Sequence, residues 1–226
     1  MKKKYVVFKD DDAGKDTPNL KRWIDVVIKN DAKGAIGLIG KHLKDQDFID
    51  YLNSLDKDRI EIFCHGYYHK HLPYLIKKIT KREVPKTEFN KDFEKHDDSL
   101  KKYRDVESRY LDTRAICFGP QGNIWNDEVI DALVQNDFKM MFAWDKIKGD
   151  VFTIPLSLNY GHDSLEEFIE EYEKCKDDKI ITLQFHHSNL TEKQFDVLNE
   201  VIEYLKNKEK REFVTPSELL KKRKKE

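Results

Sequence analysis

At 226 residues with 38% hydrophobic residues, among them 13 Phe, 10 Tyr and 3 Trp, the chain can fill one sizeable core and suits a single domain. Its 42 basic and 43 acidic residues leave a formal net charge of -1, which excludes a global electrostatic pull toward nucleic acid or anionic lipid. No run approaches the ~20 apolar residues that span a bilayer, and three scattered cysteines, Cys64, Cys117 and Cys175, do not make a disulfide framework and read as small buried side chains.

Met1 to Tyr5 is basic, but only Tyr5 to Phe8 follow as an apolar run. A signal peptide needs roughly 7–15 apolar residues there, so the expected location is cytoplasmic. Tyr5 to Phe8 reads as a buried strand ended by Asp10-Asp11-Asp12-Ala13-Gly14. Leu20, Trp23, Ile24, Val27 and Ile28 then follow helical spacing. Ala35 to Ile39 predicts a strand, Phe48 to Leu55 a helix and Ile60 to Cys64 a strand. The stretch from about 70 to 110 is charged and poor in strand signal; it reads as an insertion with a helix from roughly Asp92 to Tyr110.

Ala115 to Phe118, Lys139 to Ala143, Val151 to Ile154 and Ile180 to Phe185 are further strand signals, with a helix over Asp127 to Val134. Ser164 with Glu167, Thr191 with Gln194, and Thr215-Pro216 with Glu218 are capping boxes that open three more helices. Residues 221–226 form a charge run and read as a solvated tail, which leaves 1–220 as one domain. About seven strands separated by helices predict a parallel α/β sheet, open or closed into a barrel.

The reactive residue types cluster just after strands, where parallel α/β folds bind ligands. The groups are Asp10-Asp11-Asp12, His65 to His69, Gly119 to Asn123, Trp144-Asp145 and His186-His187. Each alone also reads as a polar strand end, a turn or a packed side chain. His65 and His69 stand at i and i+4, which on a helix puts two imidazoles on one face. One carboxylate with two histidines is a mixed O and N donor set for a divalent metal, zinc before others.

The order of these groups resembles the NodB-type polysaccharide deacetylases, carbohydrate esterase family four. Phe8-Lys9-Asp10-Asp11-Asp12-Ala13-Gly14 is similar to the first motif, Thr-Phe-Asp-Asp-Gly, and His65 to His69 to the second, His-Ser/Thr-x-x-His, with Gly66 replacing the hydroxyl residue. Pro120-Gln121-Gly122 resembles the third motif, Arg-x-Pro-x-Gly, but Phe118 or Gly119 stands where its arginine belongs. Trp144-Asp145, Leu183 to His186 and Phe213 to Leu219 resemble the later motifs and the domain end.

The resemblance implies a distorted (β/α)7 barrel that hydrolyses an N-acetyl group of a sugar or glycan. It implies a divalent metal on Asp12, His65 and His69, with Asp11 as general base and His186 as general acid. Pro120, Gly122, Asn123, Trp144 and Asp145 would contact the carbohydrate. The acidic pair is placed on Asp11 and Asp12 because small Ala13 follows; Asp10 and Asp11 is the other register. His186 is preferred to His187 because alternation puts Gln184 and His186 on one strand face and Leu183 and Phe185 on the other. Two further readings stay open: a metal hydrolase of a non-sugar amide, and an inactive carbohydrate-binding relative.

Overall fold

Strand β1 (Tyr5–Ala13) is the hub of the sheet, pairing in parallel with β2 (Gly34–Leu38), β8 (Ile180–Phe185) and the short β9 (Glu212–Phe213). The path continues through β3 (Ile60–Cys64), β4 (Cys117–Phe118), β5 (Met140–Ala143) and β6 (Phe152–Pro155) on one side, and β7 (Leu158–Asn159) flanks β8 on the other. Every pairing is parallel, and the sheet curls into an incompletely closed barrel whose ends, β6 and β7, follow each other in the chain. This is the parallel sheet expected from the alternation of strands and helices, closed into the distorted β/α barrel that the resemblance implied. The computed structural model describes residues 3–14, 18–69, 93–147 and 149–223.

The period of two along the strands sorts the core into two clusters. Tyr5, Val7, Ala35, Phe63, Cys117, Met140, Phe142 and Ile154 fill the barrel interior. Val6, Phe8, Ile36, Leu38, Ile62, Phe118, Leu183 and Phe185 face outward and meet the helices. Helix α1 (Pro18–Lys29) buries Leu20, Trp23, Ile24 and Val27 there, while Ile28, the fifth residue of the stripe read from its spacing, is exposed. Helices α2 (Gln46–Ser54), α3 (Phe93–Tyr110), α4 (Glu128–Gln135), α5 (Leu165–Tyr172) and α6 (Glu192–Glu203) complete the shell. The Ser164 hydroxyl caps α5 by accepting from Glu167 N–H, and Thr191 and Gln194 form the reciprocal box of α6.

Helix α7 (Pro216–Arg223) closes the floor of the barrel with Leu219. It extends to Arg223, into the run read as a solvated tail, because Lys222 pairs with Glu212 at 2.7 Å and the Arg223 guanidinium lies over the Phe152 ring. The predicted insertion lies partly outside the described residues, which resume at α3; there Leu100 and Tyr103 are buried and Arg104 lies over Phe138. Strand β1 runs five residues beyond the apolar segment that predicted it, through all three aspartates. Among the described residues no helix is long and apolar enough to cross a membrane.

Candidate metal centre

The inward file of each strand changes character from floor to mouth. On β1 it reads Tyr5, Val7, Lys9, Asp11; on β3 it reads Glu61, Phe63 and continues to His65; on β8 it reads Thr182, Gln184 and continues to His186. Charged groups therefore arrive together at the carboxyl end because the strands share one direction. The three consecutive aspartates separate there, and each meets a different partner.

Asp10 points to the outer face. Its Oδ1 accepts the His187 backbone N–H at 2.9 Å and its Oδ2 lies 2.6 Å from His187 Nδ1. Burial works against a charged imidazole at His187, but the Asp10 carboxylate outweighs it and raises the group above its ordinary value. Both oxygens of Asp10 are thus engaged, which leaves Asp11 as the carboxylate of the triplet that faces the mouth from inside the barrel.

Asp11 is buried and receives both short contacts of Lys9 Nζ, at 2.6 and 2.5 Å. His65 Nδ1 lies 3.7 Å from its Oδ1, and His186 Nε2 lies 3.9 Å from its Oδ2. His186 is part-exposed whereas His187 is buried, as the alternation of β8 requires. Sequence reading missed Lys9, since a lysine beside three aspartates looks like surface; its spacing of two from Asp11 was the available signal.

Asp12 leaves the strand alternation. Its φ is 66°, and the β1–β2 register shifts between Asp10 and Ala13. This bulge turns the Asp12 carboxylate toward His65 and His69, whose Nε2 atoms lie 3.2 and 2.6 Å from its Oδ1. The two histidines do not share a helix face, as their i,i+4 spacing suggested. They sit on a loop after β3 that turns through Gly66 (φ 85°) and His69 (φ 48°). A side chain at Gly66 would strain that turn.

The donor set fits a divalent cation. One carboxylate oxygen and two imidazole nitrogens lie within 4.8 Å of one another. His65 Nδ1 donates to the Gly119 carbonyl at 2.7 Å, so the neutral ring presents a lone pair at Nε2. That lone pair faces Asp12 Oδ1 at 3.2 Å, acceptor against acceptor. Burial pushes the Asp12 carboxyl up, but the His65 and His69 imidazoles beside it more than reverse this and hold it well below the carboxylate range. A cation between Asp12 Oδ1 and the His65 Nε2 lone pair relieves that contact.

The strand-four loop supports this arrangement. Gln121 Nε2 donates to the His65 carbonyl at 3.0 Å, and Asn123 Nδ2 donates to Gln184 Oε1 at 3.0 Å. The loop that carries Pro120, Gly122 and Asn123 is thereby tied to the His65 backbone through Gln121 and to Gln184 through Asn123. Trp144 and Asp145 lie farther out. Trp144 is 49% exposed and lines a separate groove of about 890 Å³ with Ile147, Phe152 and Leu220, to which none of the triad contributes. Cys64 is buried beside His65, and its Sγ accepts the Gly66 N–H at 3.4 Å.

The model of glycosyl hydrolase family 57 matches residues 3–161. No curated protein matches the sequence. Among solved structures, a family 4 carbohydrate esterase (CE4) pseudoenzyme from Bacillus anthracis is 16% identical with a TM-score of 0.66, over 96% of this chain and 66% of that one. A family 4 acetyl xylan esterase from Clostridium thermocellum, in complex with a cobalt ion, is 17% identical with a TM-score of 0.66, over 96% of this chain and 91% of that one. A protein assigned to the polysaccharide deacetylases, from Mycobacterium smegmatis, is 12% identical with a TM-score of 0.74, over 98% and 91%. At these identities the likeness is one of fold. The motifs resemble the NodB-type deacetylases, whereas the matching family model is a glycosyl hydrolase one, so the deacetylase relationship stands at the level of the barrel.

Proposed function

The chain belongs to glycosyl hydrolase family 57, and from its barrel mouth we propose that it is a metal-dependent deacetylase that removes an N-acetyl group from a sugar or glycan. The observation that carries this reading is the convergence of Asp12, His65 and His69, whose ligand atoms all lie within 4.8 Å of one another. These three residues would hold the metal, zinc being the cation best suited to the mixed donor set. A divalent cation there supplies polarisation of an acyl oxygen and acidifies water.

Asp11 takes the proton of the water that adds to the acyl carbon. His186 gives a proton to the nitrogen as the C–N bond breaks, and acetate and an amine leave. The placement of these two side chains supports the roles: His186 Nε2 is 3.9 Å from Asp11 Oδ2, and His186 is part-exposed at the carboxyl end of β8. Pro120, Gly122 and Asn123 contact the sugar beside the triad. Trp144 lines a groove apart from the triad, so neither it nor Asp145 is given a part in binding there.

The test is acetate release from zinc-loaded protein given N-acetylated mono- and oligosaccharides, with N-acetyl and N-formyl non-sugar amides as a second panel. Acetate from the sugars, lost on chelation and restored by zinc, supports the reading. Turnover of the non-sugar panel alone moves the substrate outside carbohydrates, and no turnover of either panel by metal-loaded protein contradicts it. The family model favours a second reading, cleavage of a glycosidic bond. That chemistry needs a carboxylic acid and a carboxylate on either side of the bond. Asp10 is taken up by His187 and Asp12 belongs to the ligand set, which leaves the triplet one carboxylate for chemistry, Asp11, and favours the amide. New reducing ends without acetate would decide for glycoside cleavage.

A further inference from the structure

We propose that Lys9 is the positioning cation of this site, holding the Asp11 carboxylate in the orientation from which it takes its proton. The inference rests on the deacetylase reading and gives a role to a lysine that stands where the first motif has its threonine. Among the described residues only Lys9 and Arg211 are buried lysine or arginine side chains. Arg211 is used at the opposite end of the barrel, on the carbonyls of Tyr5, Lys176 and Asp178. Lys9 alone brings a buried fixed positive charge to the mouth.

Its surroundings leave it one partner. The ammonium lies 5.6 and 5.4 Å from the ring centres of Phe63 and Phe142, which wall it from solvent and stabilise it through their faces. Both Asp11 oxygens are within 2.6 Å. The third-motif arginine is missing at Phe118 or Gly119, and the structure gives a steric reason. A Cβ on Gly119 would stand 2.6 Å from Phe63 Cε2 and 3.3 Å from Lys9 Cε. The space in front of Gly119 is already filled by the Phe63 ring and, behind it, the Lys9 stem, and the cation reaches the site from β1 and not from the strand-four loop.

Stability does not account for the pair. Burying an ammonium and a carboxylate is expensive, and apolar residues of similar volume are often as stable or more so. What the pair provides is direction. With both oxygens fixed by Nζ, Asp11 cannot rotate onto His65 or His186, and one edge of the carboxylate stays toward the mouth.

The experiment is a double-mutant cycle in the full-length, zinc-loaded protein with Lys9→Met, Asp11→Asn and both together. It reads kcat, KM, zinc content and Tm. Lys9→Met should lower kcat by about 10²-fold, with KM and zinc content unchanged. On the Asp11→Asn background the same change should cost little further kcat. An equal fractional loss on both backgrounds overturns the proposal, because the lysine then acts on the fold and not through Asp11. In Tm, Lys9→Met should lose roughly 5–15 °C, much of it recovered in the double variant; additive losses overturn the pairing. If Lys9→Met fails to fold alone, a folded double variant supports the pairing and an unfolded one overturns it. Absence of acetate release by the wild type would reject the deacetylase reading, and the Tm cycle would still decide whether Lys9 holds Asp11.

Discussion

The floor and the mouth of the barrel both bury charge, and they do it differently. At the floor the Glu61 carboxylate accepts from the Ser217 N–H at 2.8 Å and from its hydroxyl at 2.9 Å. Arg211 is spread over three carbonyls and the Tyr172 hydroxyl. Donors there face acceptors. At the mouth two imidazoles and a carboxylate oxygen converge, with the His65 lone pair set against the Asp12 oxygen. The floor satisfies its charges within the fold, and the mouth gathers a donor set.

Substitutions at each end should break in different currencies. The largest effect on turnover is expected from Asp11→Asn, a loss of about 10³–10⁴-fold in kcat with zinc retained. Loss of zinc in that variant would make Asp11 a ligand and shift the register of the triplet by one. Next, His186→Ala should lower kcat by about 10²-fold or more, again with zinc retained. His187→Ala should instead destabilise the protein by about 1–3 kcal/mol, since it removes the side-chain partner of the buried Asp10 carboxylate. Denaturant titration alongside kinetics separates the two, and a mild His186→Ala with a crippled, stable His187→Ala would reverse the roles. The smallest effect on turnover belongs to the floor. Ser217→Ala should cost about 1–2 kcal/mol of stability by taking the hydroxyl from Glu61, with kcat unchanged; a kcat loss there would mean that the two ends are coupled.

The same contrast explains what the sequence disclosed. Helices with apolar stripes and capping residues were legible, α1 and α6 most plainly, because their cause is local. The two-residue strands β7 and β9 were not, since they exist only by pairing with β8 and β1. Strand β1 looked as if it ended at Phe8 because a strand that turns polar normally reaches solvent; here it continues into a mouth lined by charge. The clusters after the strands were readable because parallel strands deliver their ends to one place. The way His65 and His69 converge was not, since it depends on a loop with two positive φ values and not on helical spacing. Nor was the Lys9 contact, which needs the walls of Phe63 and Phe142 that only the closed barrel supplies.

The most direct measurement is the zinc content of the purified protein after metal loading and removal of excess, compared among the wild type, Asp12→Asn, His65→Ala and His69→Ala. The mouth should hold about one zinc per chain in the wild type, and each substitution should empty it or weaken binding severely while leaving the floor, and hence the folded spectrum, intact. A wild type that binds no zinc or other divalent metal, or three variants that all keep full occupancy, would contradict a metal site at Asp12, His65 and His69.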